Sequence, residues 1–126
     1  MPLILIVEDD SQIRTLLKET LEQEGFSTIV AEHGLEALAL YEKNEIDLVI
    51  TDILMPEKEG LGLITDLRKA DPLVKIIAIS GGAPQISPGC NLDLARMFGA
   101  QHTFQKPLDV DALVRTIHDM LSQKTA

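Results

Sequence analysis

The sequence predicts an α/β fold, a doubly wound five-stranded parallel sheet with helices on both faces. Three observations carry it. Five short runs rich in Ile and Val, at 3–7, 27–31, 46–51, 74–79 and 102–105, are mostly unalternating, as suits strands covered on both sides. Amphipathic helical patterns lie between and after them, so the chain reads as a (βα)5 array of right-handed βαβ units. Two of the apolar runs end abruptly on acids, "LILIV" on Glu8, Asp9 and Asp10, and "LVIT" on Asp52. In sheets of this kind ligands sit at the carboxyl ends of the strands.

Each helix has its own signal. In "SQIRTLLKETLEQEG" the residues Ile13, Leu16, Leu17, Thr20 and Leu21 fall on one face and Gly25 supplies the stop. In "LEALALYEKN" the expected inward residues are Leu35, Leu38 and Ala39. In "LGLITDLRKA" they are Leu61, Ile64 and Leu67, with Asp71-Pro72 ending the helix. The glycines and prolines of "SGGAPQISPGCNL" delay the fourth helix until about Asn91. The last helix follows Asp109 as its N-cap, with Val110, Leu113, Val114, Ile117 and Leu121 as the stripe and Asp111 suited to the helix dipole.

Composition narrows the functional classes. With 126 residues, 45% of them hydrophobic, the chain can bury one core but not two. Residues 1–126 are therefore read as a single domain with no effector domain in this chain. A net charge of -9 provides no basic field for nucleic acid or an anionic membrane. No apolar run reaches the ~18 residues needed to span a bilayer. The N-terminus lacks the marks of a signal peptide, and Cys90 is alone, so a reducing, cytoplasmic setting is expected.

The strand ends gather chemistry. Glu8 and Asp9 follow strand one, Asp52 strand three, Ser80 strand four and Lys106 strand five. Two carboxylates ~4 Å apart repel by on the order of 4 kcal/mol at an effective dielectric of ~20. Either protons offset this through raised pKa values, or a hard divalent cation does. Mg²⁺ prefers a few carboxylate oxygens, with waters completing its shell. Beside one lysine and one hydroxyl, such a cluster points to Mg²⁺ plus a phosphoryl group, with Lys106 pairing one phosphate oxygen and Ser80 bonding another.

Taken together, "LILIVEDD", "VITDILMPEKEG", "IIAISG" and "HTFQKPL", in this order and spacing, closely resemble the receiver domain of two-component response regulators. The resemblance covers essentially the whole chain. It implies the flavodoxin-like strand order 2-1-3-4-5 of the chemotaxis receiver, which makes the site a topological switch point. It also implies that Asp52 is the phosphoacceptor, taking phosphate from a histidine kinase or phosphotransfer protein as an acyl phosphate. Glu8 and Asp9, with the backbone carbonyl of Leu54, would hold Mg²⁺. Ser80 and Lys106 match the hydroxyl and lysine that meet the phosphate, and Lys106-Pro107 matches a peptide that is cis in the family. Pro56 and Gly60 match the loop after the phosphoacceptor. The implied output is a changed affinity for a downstream protein or effector domain at the face formed by the fourth helix, the fifth strand and the last helix. Phosphorylation-dependent homodimerisation is a further option.

The chain departs from the family pattern in places. Glu8 stands where Asp is commoner, and its extra methylene favours metal binding through water. Thr103 occupies the usually aromatic switch position. Phe104 is next to it, but a one-residue shift on a strand points to the other face. Gly81 beside Ser80 leaves the phosphate open, and the loop into the fourth helix is long.

Blander readings compete. Asp10 is expected as a helix N-cap rather than a ligand, with an Asp9/Asp10 pairing as the alternative. Ser80 alone would be a turn former and Lys106 alone a solvated lysine; their functional reading rests on joint placement. His33, His102 and His118 lie on three elements, so no metal triad is expected. Met55 and Met97 read as packing residues, and the acids of "EQE" and "EKNE" as a solvated face.

The first rival function is an aspartate-nucleophile phosphohydrolase. Such an enzyme would want a second acid two residues after the nucleophile, where Leu54 stands, and a cap domain. The second rival is a scaffold that has lost phosphorylation, favoured by Thr103, Gly81 and the long loop but opposed by the full set of acids, hydroxyl and lysine. A flavin binder would need a phosphate-cradling loop after strand one and aromatic platforms, which the sequence lacks. The expectation is a switch, not an enzyme, that promotes only its own phosphoryl transfer and slow dephosphorylation.

Overall fold

The computed structural model describes residues 2–52, 60–80, 100–105 and 108–122, and of residues 60, 61 and 80 the backbone only. Five parallel strands form one sheet in the order β2-β1-β3-β4-β5. They are β1 (Leu3–Val7), β2 (Ser27–Ala31), β3 (Leu48–Asp52), β4 (Ile76–Ser80) and β5 (His102–Gln105). Four helices are described: α1 (Ser11–Gln23), α2 (Gly34–Lys43), α3 (Gly60–Ala70) and α4 (Val110–Ser122). The helix expected from about Asn91 lies outside the described residues.

Strand alternation divides the core into two layers. Ile4 and Ile6 of β1, Leu48 and Ile50 of β3, and Ile77 and Ile79 of β4 pack with Leu17 and Leu21 of α1 and with Leu113, Val114, Ile117 and Met120 of α4. The intervening Leu5, Val7, Val49, Ile76 and Ala78 pack with Ala37 of α2 and Leu63, Ile64 and Leu67 of α3. Ile4, Leu5, Ile6, Val49 and Ile50 are all fully buried, which is why the central strands read as continuous apolar runs. Each such side chain contributes about 1.5–3 kcal/mol of transfer free energy.

Local chemistry sets the ends of α1. The Asp10 carboxylate accepts from the N–H groups of Gln12 at 2.9 Å and Ile13 at 3.3 Å, which makes it the N-cap. At the other end Gly25 has φ +92°, the Gly25 N–H donates to Glu22 O and the Phe26 N–H to Leu21 O, both at 3.1 Å. This is a Schellman closure, and Phe26 and Leu21 lie in the same core layer. Asp109 caps α4 in the same way as Asp10 caps α1, accepting from the Ala112 N–H at 3.1 Å.

Several expectations need correction. Leu16 is 48% exposed and Leu35 57% exposed, and Ala39 is exposed as well. In α2 the inward positions are Gly34, Ala37, Leu38 and Tyr41, the i, i+3, i+4, i+7 set that begins one residue before Leu35. His33 sets this phase: its Nδ1 accepts the Glu36 N–H at 3.2 Å and starts the helix at Gly34.

β3 begins at Leu48 rather than at 46. Asp47 closes the amino end of the β1–β3 ladder with its side chain, its carboxylate accepting the Leu3 N–H at 2.7 Å while its own N–H donates to Leu3 O. β4 runs over Ile76–Ser80 rather than 74–79 because Gln101 replaces ladder partners: its amide accepts the Ile76 N–H at 2.7 Å and donates to Val74 O at 2.9 Å. Neither device leaves a periodic trace in the sequence.

Candidate functional site

The same alternation that builds the core delivers acids to one place. Glu8 follows Ile4 and Ile6 at two-residue steps, and Asp52 follows Leu48 and Ile50, so both continue the side of the sheet covered by α1 and α4. The register pairs Ile6 with Ile50 and Val7 with Thr51. One step further along it stand Glu8 and Asp52. Both are withdrawn from solvent, at 1% and 5% exposure, whereas Asp9 is exposed. One carboxylate oxygen from each of Glu8, Asp9 and Asp52 lies within 4.8 Å of the other two.

The turn between β1 and α1 holds Glu8 at several points. Its N–H donates to Ala31 O at 3.0 Å, its carbonyl accepts from Arg14 Nη1 at 2.9 Å, and its Oε1 accepts the Asp10 N–H at 3.2 Å. Asp10 itself is committed to the cap of α1, which turns its carboxylate to Gln12 and Ile13. Asp52 closes β3, and the Thr51 hydroxyl donates to its carbonyl at 2.9 Å.

Ser80 is the last residue of β4, its Cα abreast of Gln105. Leu54, Pro56, Gly81, Lys106 and Pro107 lie outside the described residues, as do Cys90, Met55 and Met97. Gly60 opens α3. Thr103 pairs with Ala78, whose side chain belongs to the layer under α2 and α3. Phe104 pairs with Ile79 and packs into the opposite layer. The two neighbours on β5 thus face opposite sides of the sheet.

The cluster suits a hard cation. Its donors are all carboxylate oxygens, with neither sulfur nor imidazole, the set that Mg²⁺ takes. Octahedral ligands at about 2.0–2.1 Å are separated by about 2.9 Å when adjacent and about 4.1 Å when opposite. Oxygens already within 4.8 Å of one another need only a small closure, or a water between Glu8 and the ion, to meet that geometry. Three acids, two of them buried, also present a strong negative potential to a cation.

Arg14 does not stand out in the sequence, where it reads as one polar residue between Ile13 and Thr15. A usable signal exists all the same. A cation in the first turn of a helix faces the positive end of the dipole and is misplaced there unless nearby acids or carbonyls hold it. The Glu8 carbonyl and the Glu32 carboxylate meet that condition.

The sequence profile of the response regulator receiver domain matches residues 4–118. The transcriptional regulatory protein CpxR of Escherichia coli K12 is 36% identical over 118 residues, covering 94% of this chain and 48% of its own. This chain spans about a quarter to a half of the first curated relatives it matches. Among solved structures, a CheY-like receiver domain protein from Methanospirillum hungatei superposes with a TM-score of 0.87 at 31% identity, covering 96% of this chain and 94% of that one. The response regulator TrrA of Thermotoga maritima, solved in complex with Mg²⁺-BeF, superposes with a TM-score of 0.84 at 34% identity, covering 95% of this chain and 99% of its own.

Proposed function

Since the chain belongs to the response regulator receiver domain family, we propose that it is a phosphorylation-activated switch that accepts a phosphoryl group on Asp52 from a histidine kinase or phosphotransfer protein. The observation that carries this reading is the approach of the Glu8, Asp9 and Asp52 carboxylates at the carboxyl edge of the sheet. Mg²⁺ held there by Glu8, Asp9, Asp52 and the Leu54 carbonyl would supply charge neutralisation for the phosphoryl group.

The chain's own residues perform the rest. Asp52 Oδ attacks the phosphorus in line, the P–N bond to the donor histidine breaks, and the electron pair leaves on the imidazole nitrogen, which takes a proton. Burial of Asp52 and Glu8 keeps the local dielectric low, so each contact to the phosphoryl oxygens counts for more than it would in water. In this reading Lys106 neutralises one phosphoryl oxygen and the Ser80 hydroxyl donates to another. Phosphorylation then shifts an equilibrium between two arrangements of the face that includes β5 and α4, and a downstream protein or effector domain reads the change. A shift from 1:99 to 99:1 requires ~5.5 kcal/mol, so a partner that completes a partial shift fits the scheme.

The test is intact mass after incubation with Mg²⁺ and acetyl phosphate. Wild type gains one phosphoryl group, and Asp52→Asn and chelator-treated wild type do not. Failure of wild type to gain it, under conditions where the TrrA protein does, would favour a non-phosphorylated scaffold.

A further inference from the structure

We infer that Arg14 is a positioning residue for the acidic pocket, fixing the β1–α1 turn so that Glu8 and Asp9 present their carboxylates toward Asp52. This deepens the Mg²⁺ reading above and rests on it for its metal-binding consequence.

The side chain of Arg14 reaches back from the first turn of α1. Its Nη1 donates to the carbonyl of Glu8 at 2.9 Å, and its Nη2 lies 3.5 Å from Glu32 Oε1 just beyond β2. Arg14 is largely buried, with 18% of its side chain exposed, while Glu32 is 66% exposed. The ion pair is therefore weakened by solvent. The hydrogen bond to the carbonyl is charge-assisted and sheltered, so it is the stronger tether.

Glu32 is not adrift either. Its N–H donates to Glu36 Oε1 at 2.8 Å, and the Glu36 N–H is bound by His33 Nδ1. The chain of contacts runs from the start of α2, through Glu32 and Arg14, to the peptide that joins Glu8 to Asp9. With the Glu8 N–H on Ala31 O, that peptide segment is gripped from both sides. Mutual repulsion of three carboxylates pushes this turn away from Asp52, and the Arg14 fork resists that displacement.

Arg14 acts here in two opposed ways, and their signs separate them. As a bare positive charge near a cation site it weakens Mg²⁺ binding, so removing it would strengthen binding. As the holder of the turn it strengthens Mg²⁺ binding, so removing it weakens binding. Lysine keeps the charge but lacks the fork that spans Glu8 O and Glu32.

The experiment is an Mg²⁺ titration of the full chain followed by amide NMR, for wild type, Arg14→Lys and Arg14→Met, with amide exchange of the metal-free proteins measured alongside. Both variants are expected to bind Mg²⁺ about tenfold more weakly, the lower range for residues that orient metal ligands. The amides of Glu8 and Asp10 are expected to exchange several-fold faster relative to Ile50, whose fully buried position reports global unfolding. Unchanged or tighter Mg²⁺ binding in either variant overturns the positioning role. Wild type that binds no Mg²⁺ overturns the metal reading instead, and Arg14 is then judged by exchange alone: faster Glu8 and Asp10 amides support it, and unchanged ones refute it.

Discussion

Glu8, the residue just past β1, and Asp52, the last residue of the neighbouring parallel strand β3, bring carboxylate oxygens within 4.8 Å of each other while both side chains are almost wholly removed from solvent. At that separation two unit charges repel by on the order of 3–4 kcal/mol at an effective dielectric of ~20. Neutralising either one in the metal-free protein is therefore expected to stabilise the fold. Asp52→Asn and Glu8→Gln should each raise stability in chelator by on the order of 1–2 kcal/mol, less than the full repulsion because each carboxylate also has favourable contacts. Glu8→Gln retains an oxygen for the Asp10 N–H. Urea unfolding in chelator checks the sign, and added Mg²⁺ should then stabilise wild type by about 2.7 kcal/mol at a hundredfold excess over Kd but leave Asp52→Asn nearly unmoved.

Asp10 separates a capping acid from a ligand. Its carboxylate is engaged with the N–H groups of Gln12 and Ile13, and asparagine caps about as well as aspartate. Asp10→Asn is expected to leave both stability and Mg²⁺ affinity nearly unchanged. Asp10→Ala is expected to cost about 1 kcal/mol through the lost cap. Thermal unfolding with Mg²⁺ calorimetry checks both. A large loss of Mg²⁺ affinity in Asp10→Asn would move the ligand set to Asp9 and Asp10.

Tyr41 gives a separate pH signature. Its hydroxyl donates to Asp71 Oδ2 at 3.0 Å, joining α2 to the turn after α3. Burial, then the hydrogen bond and negative charge of Asp71, push the phenol up to about 12. The unfolded chain ionises near the ordinary value of about 10. The contribution of this phenol to stability is therefore complete below about pH 10 and lost as pH rises through about 12. Tyr41 is the chain's one tyrosine and there is no tryptophan, so tyrosinate absorbance reports it alone. Asp71→Asn should bring the midpoint down toward the ordinary value.

The lifetime of the phosphorylated state tests the reading of Leu54. An apolar side chain two residues after the proposed acceptor Asp52 cannot orient an attacking water. Phosphorylated wild type is expected to persist for minutes or longer without a phosphatase, and Leu54→Gln to shorten that time several-fold. Following loss of the phosphoryl mass over time checks both, and decay within seconds in wild type would contradict the role given to Leu54.

Much of this architecture is legible in the sequence because buried parallel strands are written as unbroken apolar runs. β1, β2 and β5 are found at the expected residues, and Asp52 and Glu8 stand out because each ends such a run. Their proximity is different in kind. It depends on β1 lying beside β3, which no local pattern states and which the family resemblance supplied. The phase of α2 is hidden because Leu35, Ala37, Leu38, Ala39 and Leu40 offer several apolar faces at once, and the His33 cap decides among them. Leu16 looks equivalent to Leu17, yet only Leu17 points at the sheet. Gln101 works through two side-chain hydrogen bonds to the backbone of Val74 and Ile76, and Arg14 through one to the Glu8 carbonyl. Such contacts have no period, so pattern reading passes over them.

The most direct measurement is the site of the phosphoryl group. Protein phosphorylated with acetyl phosphate and Mg²⁺ is treated with hydroxylamine, which displaces phosphate from an acyl phosphate and leaves a hydroxamate, and the modified residue is located by peptide mass spectrometry. A hydroxamate at Asp52 and nowhere else is expected. A hydroxamate at Glu8 or Asp9, or a phosphoryl group that resists hydroxylamine on a serine or threonine, would contradict it.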